Sequence, residues 1–440
     1  MPPLKIELIV NAIYDFILIT CHLPLGRQTA GCGAVMSRSV NDFQRDIRIG
    51  YSFDDVLLVP RRTRATSRST VDVRTKLTPG IDLAVPLVSA NTPWCTEADM
   101  AAAMAAVGGI GFIHRMTSAA VQAEEIRKTK SALVDKDALP EATVDSRGRF
   151  RVGAAVGVKA DFLYRAEALV EAGTDVLILD VAHGHADYVL EAIRKLRTSF
   201  PEVDLVAGNV ATADGVSDLI SAGAQAIKVG IGPGSVCTTR IVTGAGVPQL
   251  TAVLECSYEA QRHGIPVIAD GGIRSSGDVT KALGAGASTV MLGKLLAGTD
   301  ESAAILVERE GRRHKITNGF VTLGVGLTLK RLEGGAITED EFREYVPEGV
   351  EATFEYAGSL RDVIRKIVGG LRSGLSYCGS MSVPELWQKA QFIQVTSAGN
   401  HEGHPHVQEG VRSVHPDYAS LFVSCVEGAG APEKSTEHRS

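Results

Sequence analysis

Paired cysteines are missing from this chain. Its seven cysteines (Cys21, Cys32, Cys95, Cys237, Cys256, Cys378, Cys425) stand singly, with no C-x-x-C pair and no dense spacing. That excludes a disulfide scaffold and fits a reducing, cytoplasmic setting. A basic footprint is missing as well. The 45 Lys and Arg stand against 51 Asp and Glu, a formal charge of -6, so no nucleic-acid partner is expected and small molecules are the ligands to seek. A membrane span is the third absence: the apolar stretch "IELIVNAIYDFILITCHL" carries Glu7 and Asp15 and is too short and too charged to cross a bilayer. With only Lys5 ahead of it and no small-residue cleavage site, it is also a poor signal peptide.

What the chain does have is apolar content, 45% of 440 residues, enough to bury one large core or two modest ones. The ends read differently from the middle. Met36 opens "MSRSVNDFQRDIRIGYSFDDVLLVP", which looks like a natural beginning, so residues 1–35 are expected to be an upstream extension. The last stretch, "EGAGAPEKSTEHRS", has too few apolar residues to pack, and 426–440 is expected to be a disordered tail.

Between the ends, short runs rich in Val and Ile recur, each closing on Gly, Asp, Asn or His: "AVPLVSAN", "GGIGFIHR", "RVGAAVGV", "DVLILDVA", "DLVAGNVA", "AIKVGIG", "PVIADGG" and "TVMLGKL". Helical stretches such as "DFLYRAEALVEAG" and "ADGVSDLISAG" separate most of them, with Gly at the helix end. Eight continuous apolar strands alternating with helices predict an α/β fold, a (β/α)8 TIM barrel, as a single catalytic domain over 46–406. An open doubly wound sheet would be expected to carry G-x-G-x-x-G after its first strand, and none is there.

Active sites of such barrels lie where the strands end. The candidates are therefore Asn91, His114, Asp180, Asn209, the loop after Gly230, Asp270 and Gly293. A lone cysteine is more often a buried small hydrophobe than a nucleophile. Cys237 differs because it follows "GIGPGS", whose glycines allow close backbone approach, and precedes Thr238, Thr239 and Arg240 with their hydrogen-bond donors. It is the expected nucleophile.

The stretches "KVGIGPGSVCTTRIVTGAGVPQ" and "VIADGGIRSSGDVTKALGAGASTVMLGKLLAGT" resemble those of the IMP dehydrogenase and GMP reductase family, as do "YSFDDVLLVP", "LDVAHGH", "AGNVAT" and "VGGLRSGLSYCG". The resemblance runs from about Tyr51 to His406. It implies a homotetrameric barrel whose cysteine, here Cys237, adds to purine C2 of a nucleotide while NADPH or NAD exchanges hydride there. By the same resemblance Thr239 helps position the leaving group and Asp270 binds the ribose hydroxyls. Backbone at Ser235, Gly272 and Gly293 cradles the phosphate, and Asp180, Asn209 and Lys228 face the nicotinamide. Backbone carbonyls of Gly232, Gly234 and Cys237 would hold potassium, as in dehydrogenase-type relatives. The histidines of "HEGHPH" (401–406) are read as solvated rather than metal-binding.

Which branch the resemblance favours depends on a few positions. Dehydrogenases insert a CBS pair after the second strand, where only "SALVDKDALPEATVDSRGRFRVG" stands here, and they hydrolyse their adduct with an adjacent Arg-Tyr pair on a flap. That flap corresponds to about 324–357, and no adjacent Arg-Tyr occurs in it. The reductase glutamate aligns with Gly326, and Arg115 stands where reductases carry a lysine. Around the substrate, Thr92, Pro93, Lys294, Thr317 and Phe320 replace residues usual in relatives, which points to a changed substrate such as a 7-deazaguanine nucleotide. The expectation is GMP reductase-like deamination, with IMP dehydrogenase as the alternative. A non-catalytic nucleotide-binding paralogue is the alternative of another class.

Overall fold

A computed structural model describes residues 47–131, 134–158, 161–317 and 352–403. Phe320, Gly326, Arg331, Arg343, most of the flap 324–357, the extension 1–35 and the tail 426–440 lie outside the described residues. The chain divides into two compact units, Met1–Ile49 and Gly50–Ser440, and the elements that follow belong to the second.

Each of the eight apolar runs forms a parallel strand. Three short strands come first: β1 (Val56–Leu58), β2 (Thr75–Thr78) and β3 (Ile81–Leu83). The barrel follows as β4 (Leu87–Ser89), β5 (Ile110–Ile113), β6 (Gly153–Val156), β7 (Val176–Asp180), β8 (Asp204–Val210), β9 (Ala226–Val229), β10 (Val267–Asp270) and β11 (Thr289–Leu292). These eight close on themselves, with β11 pairing back to β4 through Val290↔Leu87 and Leu292↔Ser89. Strands covered on both faces need no polar alternation, which is why the runs read as unbroken apolar segments.

Helices lie between the strands, and their ends show why the chain folds locally as it does. Ser118, Thr212 and Ser275 each accept a backbone N–H at the start of helices Ala119–Lys130, Ala213–Ala222 and Ser276–Gly284. Gly223, at φ 112°, ends the second of these in the left-handed region, as the sequence predicts from "ISAG". Among the described residues no helix is long and apolar enough to cross a membrane.

Elements outside the barrel frame its two ends. The antiparallel β2–β3 hairpin lies at the N-terminal end, where Thr75 donates to the Ser288 carbonyl just before β11. β12 (Ile305–Arg309), β13 (Arg312–Ile316) and β14 (Thr353–Glu355) form a small antiparallel sheet, and β15 (Phe392–Gln394) pairs with β1. Thr317 is expected from the sequence in the purine site. The structure instead places it at the end of β13, buried, donating its N–H to the Ala352 carbonyl and accepting from Ala352 through its hydroxyl. Its backbone N–H and its hydroxyl oxygen thereby join two backbone segments.

Candidate active site

A buried lysine organises the C-terminal end of the barrel. Lys228, on β9, has a side chain 3% exposed, and its Nζ lies 2.7 Å from Asp180 Oδ1 and 2.7 Å from Asp270 Oδ2. Strand register explains how one cation reaches both acids. Asp180, Gly208, Lys228 and Ile268 form one level row across β7, β8, β9 and β10. Gly208 stands between Asp180 and Lys228, and a Cβ there would lie 2.7 Å from Lys228 Cβ and 2.5 Å from its carbonyl oxygen. Only glycine at this position leaves the space that the Lys228–Asp180 contact crosses.

Amides complete the network. Asn209 Nδ2 donates to Asp270 Oδ2 (2.9 Å) and to the Gly230 carbonyl (2.7 Å), and Asn91 Nδ2 donates to Asp180 Oδ2 (2.9 Å). Gln249 Nε2 joins the Val229 and Asp270 carbonyls at 3.0 Å each. Burial opposes the charge of Lys228, but the two carboxylates outweigh it and hold the ammonium above the ordinary lysine range. Burial likewise opposes ionisation of Asp180, and Lys228 and Arg115 together overcome it, so that its carboxyl titrates below the ordinary range.

The cysteine loop starts beside this network. Gly230 adopts φ 148°, and a Cβ there would fall on the Asp270 carbonyl oxygen, so the loop can leave β9 in this direction only from glycine. Arg240 ties the loop to itself, donating from Nε to the Ile231 carbonyl (3.0 Å) and from Nη2 to the Val247 carbonyl (2.5 Å). Cys237 is half-buried, its thiol donates to the Thr239 hydroxyl at 3.1 Å, and its N–H donates to the Gly234 carbonyl at 3.2 Å. The nucleophile and hydroxyl expected from sequence are therefore in contact.

A cleft of about 470 Å³ opens here, with Ser235, Asp270, Gly272, Gly293 and Lys294 in its walls. These are the five described substrate-site residues expected from sequence, brought together from three different βα loops. Asp180, Asn209 and Lys228 are not in the described lining and connect to the cleft through Asp270. Gln249, Trp94, Arg274 and Asp54 also line it and were not foreseen. Gln249 was readable as a polar residue directly after the loop, in "AGVPQ", but nothing in its spacing shows that it spans two strand ends. Three buried polar atoms here lack a partner: Thr92 Oγ1, Asn209 Oδ1 and Gln249 Oε1. An orphaned buried acceptor or donor costs about 1–3 kcal/mol unless a ligand satisfies it.

Of the carbonyls implied for potassium, that of Gly234 already accepts from Cys237. Among the described residues no group of His, Cys, Asp and Glu could hold a metal ion. The Asn209 Oδ1 acceptor does fit a carboxamide N–H such as nicotinamide carries.

A closed parallel barrel with a thiol, a hydroxyl and a paired-charge network at its C-terminal ends defines a (β/α)8-barrel enzyme. Comparison with known proteins specifies it further. A family model described as "IMP dehydrogenase / GMP reductase domain" matches residues 50–406. The chain is 39% identical to inosine-5'-monophosphate dehydrogenase of Nitrosopumilus maritimus over 82% of this chain and 99% of that protein. It is 35% identical to GMP reductase of Leishmania donovani over 81% of this chain and 96% of the relative. Among solved structures, a cysteine-to-alanine variant of GMP reductase from Trypanosoma brucei, in complex with guanosine 5'-monophosphate, matches with a TM-score of 0.78. That match is at 34% identity and covers 83% of this chain and 99% of the other. The chain belongs to the IMP dehydrogenase / GMP reductase family of oxidoreductases.

Proposed function

We propose that the protein reductively deaminates a 2-aminopurine nucleotide, GMP or a close analogue, using a reduced nicotinamide cofactor. The observation that carries this reading is the Cys237 thiol in contact with the Thr239 hydroxyl on a loop whose Ser235 lines the cleft. Its direction draws support from the Trypanosoma brucei GMP reductase that binds GMP and from the lack of an adjacent Arg-Tyr pair between 318 and 351 in the sequence.

The chain's own residues divide the work. The Cys237 sulfur adds to purine C2, forming an S–C bond as the C2–N bond breaks, and the thiol proton passes to the amino group, which leaves as ammonia. Thr239 orients that amino group through its hydroxyl. A bound nicotinamide supplies the hydride that adds to C2, and the C–S bond then breaks to return the thiolate. Asp270 receives the ribose hydroxyls, and the backbone at Ser235, Gly272 and Gly293 receives the phosphate, with Gly272, at φ 78°, in the cleft wall. Lys294 adds a cation beside Gly293. Asn209, with Asp180 and Lys228 behind it, meets the nicotinamide. The Gly232, Gly234 and Cys237 carbonyls are the potassium site of this reading, with no step passing through the ion. A homotetramer in the cytoplasm belongs to the same reading.

The assay follows absorbance and products for GMP with NADPH and, separately, IMP with NAD. Repeated turnover with one ammonia per GMP is expected in the first, and at most a single-turnover burst in the second, because the sequence carries no adjacent Arg-Tyr pair to activate water. A 7-deazaguanine nucleotide with NADPH is the third arm, chosen because Thr92 and Lys294 depart from the residues usual in relatives. Identity to the Nitrosopumilus maritimus dehydrogenase favours the reverse chemistry as a second reading. Steady XMP formation from IMP, lost on replacing Arg331 or Arg343, would establish it.

Asp270→Ala tests the ribose assignment. Each hydrogen bond to a charged group is worth about 1.5–3 kcal/mol, so nucleotide affinity should fall roughly ten- to a hundredfold in calorimetric titration. An unchanged dissociation constant means that the ribose lies elsewhere.

A further inference from the structure

The opposite end of the barrel is hollowed too. Beneath the N-terminal ends of the strands, a cleft of about 950 Å³ opens between the β2–β3 hairpin, the segment leading into β6, and Trp387. Its size is within the range of small-molecule sites. Two of its cations are already used, since Arg74 pairs with Asp72 and Lys76 with Asp82, both at 2.7 Å.

Lys136 and Arg151 are different. Lys136 Nζ donates to the Ala142 carbonyl at 2.6 Å, Arg151 Nε donates to the Val144 carbonyl at 2.9 Å, and neither forms an ion pair among the described residues. Asp175, the acid whose ionisation Arg151 favours, is closed on Lys130 at 2.5 Å. Of the two acids in the wall, Asp82 is paired with Lys76 and Glu141 is solvent-exposed. Backbone carbonyls thus fix two cations in place without neutralising them.

Two further features point inward. Thr143 lines the same cleft, is 6% exposed, and its hydroxyl has no hydrogen-bond partner. A buried hydroxyl in that state has capacity for a partner such as a ligand oxygen or a water. Trp387, half-buried in the wall, is fixed by its Nε1 donating to the Ala287 carbonyl at 3.0 Å, which gives a flat apolar surface that cannot turn away.

We propose that this cleft is a second ligand site, for a phosphorylated small molecule with a planar ring. Lys136 and Arg151 take the phosphate, Thr143 hydrogen-bonds to it, and the ring lies on Trp387. The proposal does not rest on the reaction assigned to the other end of the barrel.

The chain has only two tryptophans, so Trp94→Phe leaves Trp387 as the sole indole and as a reporter inside the cleft. The full chain with this substitution is titrated with ADP, and with pyrophosphate and adenosine as its two halves, while Trp387 fluorescence is followed. ADP should give a saturable change, stronger than either half. Adding Lys136→Ala and Arg151→Ala should weaken ADP binding at least about tenfold, the scale of a lost charge-assisted contact. Thr143→Val, which keeps the shape and removes the hydroxyl, should weaken it less. If the double substitution lowers the far-UV dichroism signal, Lys136→Gln with Arg151→Gln replaces it. No saturable change with ADP, or affinity unaltered by the charge substitutions, overturns the proposal. Equal binding of pyrophosphate and ADP overturns the role given to the ring.

Discussion

Replacing Cys237 by alanine should remove turnover, by about ten-thousandfold or more, while nucleotide affinity stays within about threefold. The reason is that both candidate reactions, as proposed, pass through a sulfur–C2 bond, whereas among the described residues the Cys237 side chain hydrogen-bonds to Thr239 alone. The loop does not depend on the sulfur for its shape. Arg240 holds it through the Ile231 and Val247 carbonyls, and the bond from the Cys237 N–H to Gly234 belongs to the backbone. No other described cysteine can substitute, because burial pushes the thiol of Cys95 up to about 11 and that of Cys256 up to about 12, and Cys378 is buried as well. The measurement is cofactor oxidation at saturating nucleotide together with calorimetric nucleotide binding. Activity within tenfold of the parent would end the covalent mechanism.

Lys228→Met should have the largest effect on stability, a loss of about 3–5 kcal/mol in urea unfolding, because removing one partner of a buried ion pair strands the other. Here two carboxylates, Asp180 and Asp270, would be left facing one vacated position. The pH dependence separates this from simple loss of packing. In the parent, Asp180 titrates below its usual range, so its contribution is present above the unfolded value near 3.9 and fades as pH falls through the folded value. Lys228 titrates above its usual range, so its contribution holds below about 10.4 and fades as pH rises through the folded value. In the variant Asp180 keeps the burial that opposes its charge and loses Lys228, the largest influence favouring it. Its deficit should therefore be smallest below about pH 4 and grow as pH rises toward neutrality. Lys228→Arg should recover part of the loss. A deficit independent of pH, or none at all, would show that the charges are not what holds this row together.

The barrel was legible because double burial leaves no polar alternation to hide a strand. All eight runs, from "AVPLVSAN" to "TVMLGKL", became β4 through β11, and the polar residues that close them stand at one end. The β2–β3 hairpin and β12–β14 were not foreseen. β12 and β13 carry the charges of "ILVER" and "RRHKI" and are mostly exposed, so periodicity gives no signal there; β2 and β3 do bury Leu77, Ile81 and Leu83, but four and three residues are too short for a period to show. Lys228 shows the same limit within the site. Its place inside "AIKVGIG" marks it as unusual, but which acids flank it depends on register across β7 to β10, and no local pattern encodes that. Gln249 was missed for the same reason.

The pairing of β11 with β4 has a kinetic side. It joins residues about two hundred positions apart, so closing the barrel carries the chain-entropy cost of a very long loop and contributes to slow, high-contact-order folding. The cleft beside Cys237 straddles this seam, since Ala90 and Thr92 follow β4 while Gly293 and Lys294 follow β11, and all four line it. Whatever fills the cleft touches both edges of the closure and binds only the closed form. Mass action then ties the stability of the closed barrel to the supply of whatever ligand fills this cleft.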